Sequence, residues 1–310
     1  MTYVLQLATD TDFMYSERLL KSLHFMMTNY DLKNRPGLWR AGAIWVRNDD
    51  TGEIVYEGAY VDEVPALMRE LVEGLDSDDG FPPMVRAAMA HLNLVLVHPF
   101  RDGNGRMARC LQTLVLAREG ILNPVFCSIE EYLGRNTQAY YDVLADVGAG
   151  SWQPDRDARS WVRFCLTAHL RQAHTMLRRI KESERLWEDL ERLVADAGLP
   201  DRTIAAMYDA AIGFRVRNAK YRAVDEDEIT EQVAGRDLRA LAKAGFLVPV
   251  GEKRGRFYVA SPQVRALRQG IIGSRDPRDD SDPFTTWALA SPSPTVREPQ
   301  PSLFQNAAQG

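Results

Sequence analysis

The sequence predicts a mainly α protein: a helical domain carrying one β-hairpin, a smaller helix-and-hairpin domain, and an unstructured tail. Three observations carry this. Apolar residues recur at helical spacing through most of the chain between Ser16 and Ala197. Alternating Ile, Val, Tyr and Trp appear in only two places, near residues 43–61 and 246–261, each around a turn. From Ser274 onward Pro, Ser and Asp dominate without any period.

In chain order, "SERLLKSLHFMMTNYDL" places Leu19, Leu20, Leu23, Met26 and Met27 at helical spacing behind a Ser16 cap, and "NRPG" ends the run. "GAIWVRNDDTGEIVYEGAYV" reads as a hairpin turning at "DDTG". "EVPALMRELVEGL" is a short helix. Pro82 and Pro83 suit a first helical turn, and Val85, Ala88, Met89, Leu92, Val95 and Leu96 continue as a buried stripe up to His98. A second stripe, Met107, Cys110, Leu111, Leu114 and Ala117, stops at Gly120. "NTQAYYDVLADVG", "SWVRFCLTAHLRQAHTMLRRI" and "SERLWEDLERLVADAG" keep the helical period. After "GLPD" the order becomes helix from Thr203, helix "DEDEITEQVAGRDLRALAKAG", strand "FLVPV", turn "GEKRG", strand "RFYVAS". That order reads as a winged-helix module.

The bulk properties exclude several classes. A net charge of -5 supplies no general attraction to nucleic acid or anionic lipid. No apolar run approaches the roughly 20 residues that span a bilayer, and "MTYVLQLATDTDF" lacks the basic flank and apolar centre of a signal peptide. Cys110, Cys127 and Cys165 are odd in number and form no CxxC pair, which points to buried thiols in a reducing compartment. The expectation is a cytoplasmic protein with no membrane partner.

Between the two buried helices lies "HPFRDGNGRMAR", residues 98–109. Gly103 and Gly105 permit positive φ and close approach of a ligand to the backbone. Successive amides in such a turn make an anion nest, and the following helix points its positive end at the same spot. Arg106 and Arg109 lie on one helical face and add cationic donors. Asp102 stands at the lip, where a carboxylate beside phosphates suits Mg²⁺. His98 is a base for a hydroxyl nucleophile near neutral pH. Base, metal ligand and phosphate cradle together describe a phosphate-transfer site, and no GxxxxGK[ST] occurs in the chain.

This stretch resembles the HxFx[DE]GNGRxxR signature of the Fic (Fic/DOC) family at every specified position. "NRPGLWRAGAIWV", "VPALMRELV", "AAMAHLNLVLVHPF" and "GILNPVFCSIEEYLGRNTQAYYDVL" are similar to ordered segments of that domain, so the resemblance covers about residues 10–185. It implies an all-α Fic-type domain over residues 1–185 with its flap hairpin at about 43–61. A linker helix over 186–200, a winged-helix-like domain over 201–263 and a disordered tail over 274–310 follow. It also implies transfer of AMP from ATP to a Ser, Thr or Tyr hydroxyl of a target protein, with pyrophosphate leaving. His98 would be the general base, and Asp102 would hold Mg²⁺ between the α- and β-phosphates. Gly103, Asn104, Gly105 and Arg106 would bind phosphates, Arg109 the γ-phosphate, and Phe100 would anchor the loop. Asn136 and Tyr140 would line the nucleotide side, with Tyr141 in the core. The flap would position a target segment by strand addition.

Two departures from the family pattern stand out. Many relatives carry an Asn beyond the Tyr-Tyr pair that touches the base, where this chain has "DVGAG". The inhibitory motif [ST]xxxE[GN] is also missing: Glu57-Gly58, Glu73-Gly74 and Glu119-Gly120 lack Ser or Thr four residues before the Glu. A truncated amino terminus, a separate inhibitor protein and an unrestrained enzyme with Arg109 free for ATP all stay open. So do transfer of phosphate, UMP or phosphocholine, and DNA binding through the winged module. For the last, Lys253, Arg254, Arg256, Arg236 and Arg239 argue in favour and "VDEDEITEQ" against. A homodimer, by a short heptad seam in "ESERLWEDLERL" or otherwise, is a further option.

Overall fold

Ser16 opens the first long helix as expected: its hydroxyl accepts from Leu19 N at 3.1 Å, and the helix runs Glu17–Thr28. A shorter helix, α1 (Thr2–Ala8), precedes this α2. The computed structural model describes residues 2–48, 51–77, 80–121, 128–223, 229–277 and 281–285. Leu20 and Leu23 of α2 are buried as the pattern requires, but Met26 is half exposed, and His24 and Thr28 are buried instead. Two polar residues are affordable there because both are hydrogen-bonded inside, His24 through both ring nitrogens.

The hairpin strands are β1 (Trp45–Arg47) and β2 (Ile54–Glu57), paired Trp45↔Glu57 and Val46↔Tyr56 with an irregularity before Arg47. Asp49 and Asp50 of the expected turn lie outside the described residues. Tyr56 is the inward anchor, its hydroxyl donating to Leu96 O at 2.8 Å. The end of β2 is pinned again beyond the hairpin, where Glu57 N donates to Gly150 O and Trp152 N to Glu57 O.

Next come α3 (Val64–Asp76), α4 (Pro83–Val97) and α5 (Asn104–Arg118). The last two pack against each other as the centre of the helical domain, and both are buried more widely than one stripe. Ala87, Ala88, Ala90, His91 and Leu94 of α4 are all inside, as are Gln112, Val115 and Leu116 of α5. One face joins Leu20, Leu23, Met68, Phe100, Met107 and Leu111 in a first core. The opposite face of α4 joins Tyr140, Trp161 and Cys165 in a second. That second layer comprises α6 (Glu130–Arg135), α7 (Thr137–Gly148) and the first half of α8 (Arg159–Asp196). Cys165 is buried and Cys110 half-buried, and burial pushes the Cys110 thiol up to about 11. Cys127 lies outside the described residues.

Most of the expected linker helix over 186–200 is the end of α8. Helix α8 continues unbroken through residue 185, and its later residues Leu186, Leu190 and Val194 are buried in a third core with Met207, Leu238 and Val264. Apolar residues at helical spacing bury themselves rather than span solvent. That core contains α9 (Thr203–Ala211), α10 (Asn218–Arg222), α11 (Glu231–Lys243), the antiparallel pair β3 (Leu247–Val250) and β4 (Phe257–Ala260), and α12 (Pro262–Gly273). Val216 forms an isolated antiparallel bridge with Tyr258. Residues 224–228, the start of the expected acidic helix, lie outside the described residues, and α11 is capped by Thr230. Met1–Arg275 form one contact unit. In the other, Asp276–Gly310, the described residues include a turn closed by Asp282, whose carboxylate accepts from Phe284 N; the remainder of the expected tail is outside the described residues.

Candidate active site

Helix α4 ends on His98, which adopts the left-handed conformation (φ 57°, ψ 56°) while its N–H still reaches Leu94 O. A non-glycine residue there costs of order 1 kcal/mol or more and persists only where its surroundings hold it. Two bonds do so. His98 Nδ1 donates to Val95 O at 3.0 Å, and His98 O accepts from Arg40 Nε at 2.8 Å. The first fixes the tautomer, leaving the lone pair on Nε2. Burial, aided by the Arg40 charge, pushes the imidazole pKa below its ordinary value. The ring is therefore neutral at pH 7 and able to accept a proton.

The loop after it is closed by Asn104, whose Oδ1 accepts from Phe100 N at 2.9 Å and whose Nδ2 donates to Phe100 O at 2.8 Å. That side chain is buried and committed to the loop. Phe100 is fully buried and stacks on His24 at 3.7 Å, while His24 Nε2 donates to Asp102 O at 2.9 Å. Gly103 caps α5 with φ 79°, and a Cβ there would sit 3.0 Å from Thr28 Cγ2. Gly105 does not take positive φ; it lies inside the first turn of α5, correcting the sequence expectation. The amides of Asn104, Gly105 and Arg106 belong to that first turn, whose N–H groups have no intrahelical partner. No acidic residue competes for them there.

Asp102 lies at the lip as expected. Its Oδ1 accepts from Gly103 N at 2.7 Å, and its Oδ2 from Arg106 Nη2 at 3.0 Å and Asn34 Nδ2 at 3.4 Å. Arg106 also donates to the exposed Tyr30 hydroxyl at 3.0 Å. Arg109 is not free: its Nε donates to Glu130 Oε1 at 2.8 Å. The geometry is thus a neutral base beside an anion socket, flanked by one carboxylate and two arginines in exchangeable pairs.

Residues 14–116 match the Fic/DOC family model. That stretch is similar to a Fic/DOC domain. The chain is 38% identical over 107 residues to the protein adenylyltransferase fic-1 of Caenorhabditis briggsae, covering 32% of this chain and 20% of that protein. Its identity to the protein adenylyltransferase Fic of Aedes aegypti is 37% over 116 residues, 36% of this chain and 21% of that protein. The aligned part is thus about a fifth of the length of these relatives. A Fic family protein from Desulfovibrio desulfuricans G20 has a similar structure, with a TM-score of 0.51 at 21% identity over 84% of this chain and 73% of its own. That likeness concerns the fold.

Beyond the Fic signature, the structure adds residues that sequence reading missed. Among the described residues, Arg40 is buried without a carboxylate partner. It donates to His98 O, to Gly42 O at 2.7 Å, and to Ala59 O, so one guanidinium ties both ends of the hairpin to the base. Gly58 touches the same place: a Cβ there would lie 2.9 Å from Ile44 Cγ2 and 3.1 Å from His98 Cβ.

Of the adjacent pair, Tyr140 is buried and Tyr141, expected in the core, is exposed. Tyr140 is 5% exposed and its hydroxyl meets His91 Nε2 at 3.1 Å, whereas Tyr141 is 59% exposed. Tyr140 therefore lies next to Arg109, in a buried chain that continues from His91 Nδ1 to Gln112 Oε1 at 2.6 Å and from Gln112 to His169. Burial holds His91 neutral, with its pKa down at about 4. Asn136 is brought to no motif residue by its side chain, which donates to Tyr132 O at 2.8 Å. Among the described residues no helix is long and apolar enough to cross a membrane.

Proposed function

We propose that this chain transfers AMP from ATP to a hydroxyl of a target protein. The observation that carries the reading is the neutral His98, with its Nε2 lone pair, held beside the amide socket of α5. The relatives are named protein adenylyltransferases, which supports the same chemistry. In the reaction His98 Nε2 takes the proton of the target hydroxyl. The hydroxyl oxygen bonds to the α-phosphorus as the bond to the leaving pyrophosphate breaks. The first-turn amides of α5 hold phosphate oxygens in fixed dipoles, which need no reorganisation as charge moves. Arg106 turns from Asp102, and Arg109 from Glu130, to meet the polyphosphate.

The residues fit Mg²⁺ in the manner expected of an ion that keeps waters and phosphate oxygens: one half-exposed carboxylate, Asp102, at the lip of the socket. Among the described residues no group of three or more His, Cys, Asp or Glu could cage a metal, which agrees with a shared rather than an all-protein site. When bound, the ion neutralises phosphate charge. The target would lie along the β1–β2 hairpin. For residues 201–263 we read a winged-helix module, supported by the order α9, Val216 bridge, α10, α11, β3, β4. The lack of CxxC pairs supports a reducing compartment, hence the cytoplasm.

The test is incubation of the purified chain with α-³²P-ATP, Mg²⁺ and cell lysate, beside His98→Ala. Protein label that needs His98 is the expected result. Label from γ-³²P-ATP instead would replace AMP transfer by phosphate transfer.

A further inference from the structure

Beside Arg109 of α5 runs a line of buried polar side chains that the proposed reaction does not use. They are Tyr140 of α7, His91 of α4, Gln112 of α5 and His169 of α8. Buried donors and acceptors are costly unless each finds its match, so the direction of every bond in the line can be worked out.

Gln112 Oε1 can only accept, so His91 Nδ1, 2.6 Å away, carries the imidazole proton. Gln112 Nε2 can only donate, so His169 Nε2 at 2.9 Å is its acceptor. Burial keeps His91 neutral, which leaves its Nε2 as a bare acceptor. The Tyr140 hydroxyl lies 3.1 Å from that nitrogen and must spend its one proton there. The Tyr140 oxygen is then an acceptor only, and the Arg109 guanidinium hydrogen-bonds to it. All four bonds therefore run one way, from Arg109 through Tyr140, His91 and Gln112 to His169. The His91 ring is held edge-on to Trp161, 4.9 Å between centroids, and the Trp161 indole is itself bonded to Ala88 O.

Arg109 thus has two acceptors of different kinds. Glu130, on Nε, is charged and more than half exposed, so it can exchange for another anion. The Tyr140 oxygen is neutral and buried, so it stays. Meanwhile Arg109 Nη1 lies 3.4 Å from where a Cβ on Gly105 would sit, over the first turn of α5.

We propose that Tyr140 and His91 are positioning residues for Arg109: His91 takes the Tyr140 proton, and the Tyr140 oxygen then holds the guanidinium over the first turn of α5 when Glu130 gives way to a polyphosphate. This role rests on Arg109 meeting a polyphosphate, as in the proposed function. A long side chain held from within loses less conformational freedom when the phosphate arrives.

Calorimetry with ATP and with AMP tests the effect on binding. Tyr140→Phe and His91→Phe are each expected to weaken ATP about tenfold and AMP by less than about twofold. In an Arg109→Ala background, adding Tyr140→Phe is expected to change ATP affinity by less than about twofold, because Tyr140 acts through the arginine. His91→Gln, whose amide accepts from Tyr140 and donates to Gln112, is expected to keep ATP affinity within about threefold of the wild type. Equal losses for ATP and AMP, or the same loss with and without Arg109, would mean general loosening and overturn the proposal.

The anchoring itself is read without nucleotide, from the ¹⁵N-resolved guanidinium signals of Arg109, identified by their absence in Arg109→Lys. In Glu130→Ala they are expected to stay resolved, since a held guanidinium rotates slowly, and in Glu130→Ala/Tyr140→Phe to merge. Merged signals in Glu130→Ala overturn the proposal whatever the nucleotide data show. If the wild type binds no ATP while these signals behave as expected, the proposed function fails and the hold of Tyr140 on Arg109 stands.

Discussion

Arg109 and Glu130 form an ion pair, Nε to Oε1 at 2.8 Å, across the mouth of the anion socket. Arg109, which the proposed function assigns to the polyphosphate, is thus already paired with a residue that no inhibitory motif marks. Glu130 is more than half exposed, so the pair is weak, about 0.5 kcal/mol. Glu130→Gln is expected to tighten ATP binding about two- to threefold, measured by calorimetry, with the difference shrinking as salt is raised.

Arg40 is the reverse case, buried and, among the described residues, bonded only to carbonyls. Arg40→Met leaves the carbonyls of His98, Gly42 and Ala59 without that donor. It is expected to cost about 3 kcal/mol of stability, read by urea denaturation. Arg40→Lys keeps the charge but not the fork, so the target KM is expected to rise more than kcat falls, because the hairpin loses its tie to His98.

Gly58 leaves no room for a methyl group beside Ile44 and His98. Gly58→Ala is expected to lower His98-dependent labelling at least tenfold while moving the melting temperature by only a few degrees. Normal labelling by this variant would sink the claim that the hairpin must sit this close to the base.

The buried imidazoles set a pH dependence. His91 titrates at about 4 in the folded chain against 6.5 unfolded, and burial also lowers His24 and His98. Between those two values the unfolded chain binds more protons, so stability is lost as pH falls below 6.5. For His91 alone the loss by pH 4 is about 3 kcal/mol. The check is a urea-unfolding series from pH 7.5 to 4.5, repeated with His91→Gln, in which the slope should flatten.

The helical architecture was legible because its signals are local. Ser16 capped where a serine before a periodic run should, and Gly103 took the positive φ that its turn demanded. Asp102 and Arg106 were likewise brought together by the loop's own spacing. What was not legible depends on partners far along the chain. Nothing near Asn104 in sequence says that its amide will close onto Phe100 rather than face a phosphate. Tyr140 and Tyr141 are adjacent and alike, and only the location of His91 decides which turns inward. Nothing in the residues beside Arg40 and His24 marks them as buried. Their burial follows from carbonyls contributed by the hairpin and by residues 97–102. That the expected linker helix would be the end of α8 was hidden for a related reason, since a continuous helical period does not announce which core each turn will join.

Helix α8 has an engineering consequence. At 1.5 Å per residue its 38 residues make a rod roughly 57 Å long. One end is clamped by Trp161 on Ala88 O, and the other end forms a wall of the carboxy-terminal core. A rod fixed at both ends works as a lever arm: a tilt of about 5° at one end displaces the other by roughly 5 Å. Truncating the chain at residue 185 would therefore not release a tidy catalytic fragment. It would saw the rod through the middle and strip Leu190 and Val194 from the module they wall.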